Sequence, residues 1–141
     1  MSRYFLDESF YFITVPTFKH CRFFEADQKR FVLDRILEAE KRFDLINVDF
    51  GIMSDHYHML ANFGSAQRIP KLMQFINGGA AFQLKKIQKI ETPIWDEYHL
   101  YVSQSEYVLG RIRGYVMGNP IKHAEVESFK KLENYPYSSF G

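Results

Sequence analysis

The spacing of hydrophobic and polar positions divides the first part of the chain into a strand and a helix. Residues 10–15 are rich in aromatic and β-branched side chains, which predicts a strand that Pro16 ends or holds at a sheet edge. Over residues 26–43 apolar positions recur at helical spacing with charged positions between them, which predicts an amphipathic helix. Asp27 is the expected N-cap of that helix.

A hairpin and a second helix are predicted next. Residues 45–53 form the second strand, and Ser54-Asp55 is expected to form a tight turn into the third strand, residues 56–63. One face of the second strand is predicted to consist of Ile46, Val48, Phe50 and Ile52. The second helix is predicted over residues 70–90, and Gly78-Gly79 interrupts it. Because each interior glycine costs roughly 1 kcal/mol relative to alanine, the pair predicts a kink or the close approach of another backbone.

The last part of the chain predicts a short strand and a final helix. Ile94-Trp95 and residues 98–102 favour a short strand or a broken pair of strands. Residues 106–118 favour a helix that stops at Asn119-Pro120, because proline disfavours helical conformation in the residue before it. The predicted order is therefore β-α-β-β-α-β-α, with a hairpin in the middle. This order indicates one α+β domain, residues 1–141, in which a central antiparallel sheet is packed by helices.

Composition excludes several classes of protein. Cys21 is the single cysteine, which excludes a disulfide framework within the chain and a four-cysteine zinc site. No apolar run approaches the length of a membrane span, and the acidic Asp7 and Glu8 do not fit a signal peptide, so a cytoplasmic protein is expected. The aromatic share of 17% is high, and such side chains either fill a core or stack on nucleobases.

The charge of the chain is small overall but unevenly distributed. The net charge is +1; residues 1–63 carry 8 Lys and Arg against 10 Asp and Glu, whereas residues 64–131 carry 10 against 6. The basic excess in the second part indicates either a face that follows a phosphate backbone or an ordinary solvated helix face. The candidate nucleic-acid contacts are Lys85, Lys86, Lys89, Arg111 and Arg113.

Two histidines are the first candidates for chemistry. His56 and His58 flank Tyr57 at the start of the third predicted strand, where alternation places both imidazoles on one face and the tyrosine on the other. Two neutral imidazoles would supply two of the three protein ligands of a facial metal site. An isolated pair of this kind is also often incidental, so both interpretations stay open at this point.

The final helix offers a nucleophile and a third ligand. Tyr115 and Asn119 lie four residues apart and therefore share a helix face, as does Arg111. A tyrosine phenol has a pKa near 10, so its use as a nucleophile requires a nearby cation or a polarised target. A divalent ion held by His56, His58 and the Asn119 amide oxygen would polarise a phosphate for such an attack. The alternatives are a half-buried helix aromatic and a turn residue that ends the helix.

Together these two stretches resemble a known family. Residues 52–60, Ile-Met-Ser-Asp-His-Tyr-His-Met-Leu, and residues 113–124, Arg-Gly-Tyr-Val-Met-Gly-Asn-Pro-Ile-Lys-His-Ala, resemble the two motifs of the single-tyrosine HUH transposases. The REP-associated tyrosine transposases are the branch that they resemble most. The resemblance covers most of the chain and implies a ferredoxin-like, HUH-type sandwich.

The resemblance also implies a reaction and its residues. It assigns His56 and His58 as the metal pair, Tyr115 as the nucleophile and Asn119 as the third ligand. The implied activity is metal-dependent cleavage and joining of single-stranded DNA through a 5′-phosphotyrosine, often beside a folded hairpin, with Mg²⁺ or Mn²⁺ as the ion. One tyrosine makes one covalent bond at a time, so a homodimer would suit two coordinated cleavages, and a monomer acting sequentially is equally allowed.

Four positions depart from the usual family pattern. Ser54-Asp55 precedes the first histidine where Pro-Asn is common, and Asp55 is expected to close the turn rather than to add charge near the metal. Tyr57 replaces a small aliphatic residue, and Asn77 replaces a lysine of the second helix, which puts a phosphate-binding role there in doubt. Two other functions stay open, namely a domesticated single-strand or hairpin DNA-binding protein without cleavage activity and a metal-dependent enzyme that acts on small molecules.

Overall fold

Strands and helices follow one another in the predicted order. The computed structural model describes residues 10–103, 110–116 and 137–139. Its regular elements are β1 (Phe10–Pro16), α1 (Arg30–Arg42), β2 (Ile46–Ile52), β3 (His56–Asn62), α2 (Ile69–Ile87) and β4 (His99–Ser103). Residues 110–116 are helical. Three short 3₁₀ segments occupy Phe18–His20, Ala26–Lys29 and Ala66–Arg68.

The four strands form one antiparallel sheet. Their order across the sheet is β2-β3-β1-β4, so the β2–β3 hairpin pairs with β1, and β4 pairs with the other side of β1. The predicted α+β fold with a central antiparallel sheet packed by helices is confirmed. Among the described helices, none is both long enough and apolar enough to cross a membrane.

The two faces of the sheet have different partners. Side chains alternate along each strand, and residues opposite each other in neighbouring strands share a face. One face carries Ile13, Val15, Tyr57 and Met59, which are fully buried in a core with side chains of α1 and α2. The opposite face carries Thr14 and His58, which pair across β1 and β3. This second surface is called the site face below.

Two local predictions were wrong. Asp27 lies within the 3₁₀ segment Ala26–Lys29, where Glu25 occupies the N-cap position without a side-chain cap, so Asp27 does not cap the helix. Ile46 does not share a face with Phe50 and Ile52, because an irregularity between Ile46 and Asp49 shifts the strand register. A bulge of this kind displaces the alternation of side chains, and Ile46 is accordingly 57% exposed.

The glycine pair in α2 has a different role from the predicted one. The helix runs without interruption from Ile69 to Ile87. A Cβ atom on Gly79 would overlap the Arg35 side chain of α1, whereas a Cβ atom on Gly78 would point into open space. The Arg35 guanidinium lies 3.8 Å from the centre of the Phe75 ring and donates from Nε and Nη2 to the Phe75 carbonyl at 3.2 and 3.1 Å. Gly79 therefore makes room for a side chain rather than for another backbone.

Candidate active site

The β3 strand brings the two histidines together on the site face. His56 is opposite Pro16, and His58 is opposite Thr14 of β1 and Gly51 of β2. The two imidazole rings lie 5.0 Å apart between centres, at an interplanar angle of 69°. His58 is 1% exposed, and the His56 side chain is 10% exposed. The strand therefore presents two imidazole rings side by side on the site face.

Asp55 contacts the first histidine as well as closing the turn. Its Oδ1 lies 2.8 Å from His56 Nδ1. An ionised carboxylate only accepts hydrogen bonds, so a neutral His56 that donates from Nδ1 to Asp55 would carry on Nε2 the lone pair that a metal requires. The turn itself is fixed by its backbone, since the Asp55 carbonyl accepts from Thr17 N at 2.9 Å and from Thr17 Oγ1 at 3.0 Å. Met53 N also donates to the His56 carbonyl at 2.8 Å.

Tyr57 anchors the strand from the opposite face. Its ring is fully buried, and its hydroxyl donates to Asn77 Oδ1 at 2.6 Å. Burial raises the pKa of the Tyr57 phenol well above its ordinary value, so the hydroxyl stays a donor. The backbone carbonyl of Asn77 accepts a second hydrogen bond, from Trp95 Nε1 at 2.9 Å. Two departures from the family pattern, Tyr57 and Asn77, are thus each other's hydrogen-bond partners, on the side of β3 away from the histidines.

Residues 110–116 place Tyr115 beside the histidine pair. The Tyr115 ring lies 5.4 Å from the His58 ring and 6.1 Å from the Phe12 ring between centres. Tyr115 is 44% exposed, so its edge is accessible from solvent. A Cβ atom on Gly51 would stand 3.2 Å from Met53 Cε and at an ordinary contact distance of 3.7 Å from both the His58 ring and the Val116 carbonyl, so the helical segment packs over this part of β2.

The two arginines of the same segment have different surroundings. Arg113 Nε donates to Asp49 Oδ2 at 2.7 Å, and this ion pair links the helical segment to β2. Arg111 is exposed and lines a cleft of about 300 Å³ beside Tyr115. Of these two arginines, both predicted as DNA contacts, Arg111 lines the cleft beside Tyr115, and Arg113 holds the segment that carries Tyr115 to β2.

The other predicted site residues lie elsewhere. Lys85, Lys86 and Lys89 are exposed at and just beyond the end of α2, which packs against the opposite face of the sheet. The structure therefore does not bring them together with His58 and Tyr115. Asn119 lies outside the described residues.

The described side chains include two of the three donors that the sequence predicts for a metal ion. The rings of His56 and His58 lie side by side, and the Asp55 carboxylate contacts His56 Nδ1, a contact of the kind that orients metal-bound histidines in metalloproteins. Within residues 10–103, 110–116 and 137–139, no group of three or more His, Cys, Asp or Glu side chains is arranged to hold a metal. This donor set fits an ion such as Mn²⁺ or Mg²⁺ that completes its coordination with oxygen ligands.

Sequence reasoning missed three residues of this surface. Phe12 and Tyr101 are opposite each other on β1 and β4, two positions along from the Thr14–His99 pair. Asp49 lies on β2, where it holds Arg113. The alternation of side chains along each strand would have placed all three on the site face, but only once the pairing of the strands was known.

Comparison with known proteins gives a family and a fold. A sequence model described as "Transposase IS200 like" matches residues 8–119. No curated protein sequence matches the chain. The structure of a REP-associated tyrosine transposase bound to a REP hairpin is similar to this one, with a TM-score of 0.68 at 14% identity over 94% of this chain and 77% of that chain. A protein from Deinococcus radiodurans R1 that is assigned as a transposase gives a TM-score of 0.56 at 18% identity, over 76% of this chain and 87% of that chain.

Proposed function

Because the chain belongs to the IS200-like transposase family, we propose that it is a metal-dependent single-stranded DNA endonuclease and strand transferase with Tyr115 as its nucleophile. The observation that carries this proposal is the position of Tyr115, whose ring lies 5.4 Å from the buried His58 ring within one chain. His56 and His58 would hold the ion, with Asn119 as the proposed third ligand. When bound, the ion would act as a Lewis acid that polarises the scissile phosphate.

The chain's own residues perform the transfer. The Tyr115 phenol oxygen attacks phosphorus and loses its proton, and the bond from phosphorus to the 3′-oxygen breaks. The 3′-oxygen gains a proton and leaves as a hydroxyl, while the 5′-phosphate stays on Tyr115 as a phosphotyrosine. No water is consumed, so a second 3′-hydroxyl can reverse the step and join a new strand. The Tyr115 ring lies beside His58, so the proposed nucleophile stands next to the proposed metal pair.

The geometry supports action within one chain. The Tyr115 ring contacts both His58 of β3 and Phe12 of β1, and the ion pair between Arg113 and Asp49 holds the same helical segment to the sheet. A nucleophile and two metal ligands from a single protomer make a homodimer unnecessary for one cleavage. We propose a monomer as the catalytic unit, with a homodimer as the alternative for coordinated cleavages.

The substrate proposal adds a hairpin. A transposase of similar fold was solved bound to a REP hairpin. We propose that this chain likewise cleaves single-stranded DNA beside a hairpin, and that it works in the cytoplasm, where such DNA is accessible. The noncleaving alternative, a domesticated hairpin-binding protein, predicts binding without any covalent product.

The test is a covalent adduct on end-labelled, hairpin-bearing strands. The protein is incubated with Mn²⁺ or Mg²⁺, denatured and run on a gel. A 3′-end label should stay with the protein and a 5′-end label should leave on the free fragment, because the 5′-phosphate is the bonded group. EDTA and Tyr115→Phe should abolish the adduct.

The matched control is Tyr101→Phe, which removes a neighbouring phenol hydroxyl and keeps the ring. This variant should still form the adduct. A wild-type protein that binds the strands but forms no adduct with either ion would favour the noncleaving alternative. Labelling of Tyr115→Phe equal to wild type would show that another group is the nucleophile.

A further inference from the structure

We propose that the cleft beside Tyr115 binds one nucleobase of a nucleotide that flanks the scissile phosphate. This inference rests on the proposed function and adds a base-binding subsite to it. The cleft, called the aromatic cleft here, has a volume of about 300 Å³. The described residues that line it are Phe12, Tyr101, Arg111, Ile112 and Tyr115.

The floor of the aromatic cleft is built by two neighbouring strands. Phe12 of β1 and Tyr101 of β4 are directly opposite each other in the antiparallel ladder, so their side chains stand next to each other on the site face. Tyr101 is 53% exposed, which is high for a large aromatic residue on a sheet. These rings lie on the face opposite to the core, so they do not serve the packing of α1 and α2.

The wall of the cleft comes from the helical segment 110–116. Arg111 and Ile112 line it together with Tyr115, and Tyr115 meets the Phe12 ring edge-on at 90°. A base that stacks on Tyr101, next to Phe12, would therefore lie one ring away from the proposed nucleophile. Its nucleotide would be directly on one side or the other of the phosphate that Tyr115 attacks.

The cleft extends along β4. A second cleft of about 360 Å³ shares Phe12, Tyr101 and Ile112 with the first and continues to Thr14 and His99. A chain of nucleotides entering the aromatic cleft therefore has an adjoining surface to follow. This continuity suits a single strand better than an isolated small molecule, because a strand continues beyond the nucleotide that is bound.

The chemistry of the lining selects a nucleobase. Aromatic side chains offer π faces on which any base can stack, and such stacking contributes about 1–3 kcal/mol per base. Arg111 adds a permanent cation at the rim, which can pair with a phosphate or lie against a base. Because stacking is tolerant of sequence, the cleft should fix the position of the flanking nucleotide rather than read its identity.

The experiment combines abasic DNA with a protein variant. Strands carry an abasic residue directly 5′ of the scissile phosphate, directly 3′ of it, or at a distant unpaired position. For wild-type protein, one of the two flanking abasic residues should weaken binding by about 5- to 150-fold, as expected for the loss of one stacked base. The distant abasic residue should change binding less than twofold.

The protein variant tests whether this loss occurs in the aromatic cleft. Tyr101→Ala should already bind intact DNA weakly. The abasic residue should weaken its binding little further, because the variant has already lost the stacking contact that the abasic residue removes. Phe82→Ala is the matched control, since Phe82 is 60% exposed on α2 and should respond to the abasic residues as wild type does. Thermal unfolding of each variant checks that it is folded.

A fluorescence measurement separates this inference from the proposed function. 2-Aminopurine at the sensitive flanking position should be quenched on binding to wild type and to Phe82→Ala, but not to Tyr101→Ala. This readout needs no cleavage, so it decides the inference even if no covalent adduct forms. Equal abasic penalties in wild type and Tyr101→Ala, or no penalty at either flanking position, would overturn it.

Discussion

Removing the Asp55 carboxylate should weaken the binding of divalent metal to the histidine pair. The carboxylate accepts from His56 Nδ1 at 2.8 Å, and the two side chains are 25% and 10% exposed. Loss of such an outer partner typically costs 10- to 100-fold in metal affinity. Because Asp55 is partly solvated, we expect the low end of that range, about tenfold, or about 1.4 kcal/mol. The fold should survive, since the turn is held by the Asp55 backbone carbonyl and not by its side chain.

The assay is calorimetric titration of the DNA-free protein with MnCl₂. Asp55→Ala should lose about tenfold in affinity, and Asp55→Asn should lose less, because the amide oxygen still accepts from His56 although the negative charge is gone. Asp34→Ala is the charge-matched control, since Asp34 is exposed on α1 against the other face of the sheet. Its affinity should equal that of wild type.

Two results would refute this reasoning. If Asp55→Ala bound Mn²⁺ within twofold of wild type, the carboxylate would not orient His56 for a metal. If Asp34→Ala lost as much affinity as Asp55→Ala, the effect would be long-range charge rather than the hydrogen bond. Nitrogen chemical shifts of His56 give an independent check, because the Nδ1-protonated form should be less populated in Asp55→Ala.

Three further predictions concern stability and the position of the helical segment. Gly78→Ala should raise the free energy of unfolding by roughly 0.5–1 kcal/mol in urea titrations, because its methyl group enters open space. The free energy of unfolding of Gly79→Ala should be at least about 1 kcal/mol below that of Gly78→Ala, because its methyl group displaces the hydrogen-bonded guanidinium of Arg35. Between pH 10 and 11 the wild type should lose up to about 1.4 kcal/mol of stability through Tyr57, whose raised folded pKa means that only the unfolded chain ionises there; Tyr57→Phe should lack this loss in the same titrations. Arg113→Ala and Asp49→Ala should reduce the adduct yield equally and leave the salt dependence of DNA binding unchanged, because both break the same ion pair. If Arg113 instead contacted a phosphate directly, Arg113→Ala alone would lower the slope of the logarithm of the binding constant against the logarithm of the salt concentration by about 1.

The sheet and its helices could be predicted because the responsible signals are local. Alternation in 45–63 and helical spacing in 26–43 each depend on neighbours in sequence, and the strand and helix bounds came within a few residues of those observed. The error at Ile46 has a physical reason, since a bulge depends on how two strands meet and not on the residues of one strand.

The candidate site was predictable only in part. The alternation of β3 was enough to place His56 and His58 side by side. The role of Asp49 could not be predicted from the sequence, because its partner Arg113 is 64 residues away. The sequence does not distinguish it from an acidic residue that merely contacts solvent. Phe12 and Tyr101 were missed for a related reason, since they are joined only by the pairing of the first strand with the last.

The short segment at residues 137–139 has a consequence for the behaviour of the protein in concentrated solution. Ile52 N donates to the Tyr137 carbonyl at 2.8 Å, and Ser139 N donates to the Phe50 carbonyl at 3.0 Å, so these residues occupy the outer edge of β2. An exposed strand edge is a template on which another copy can add its own strand and begin to aggregate. Truncations or fusions that displace 137–139 would uncover that edge directly behind Gly51, which lies opposite His58. Variants designed for expression and crystallisation should therefore keep this segment intact, because its loss would be seen first as insolubility and only afterwards as lost activity.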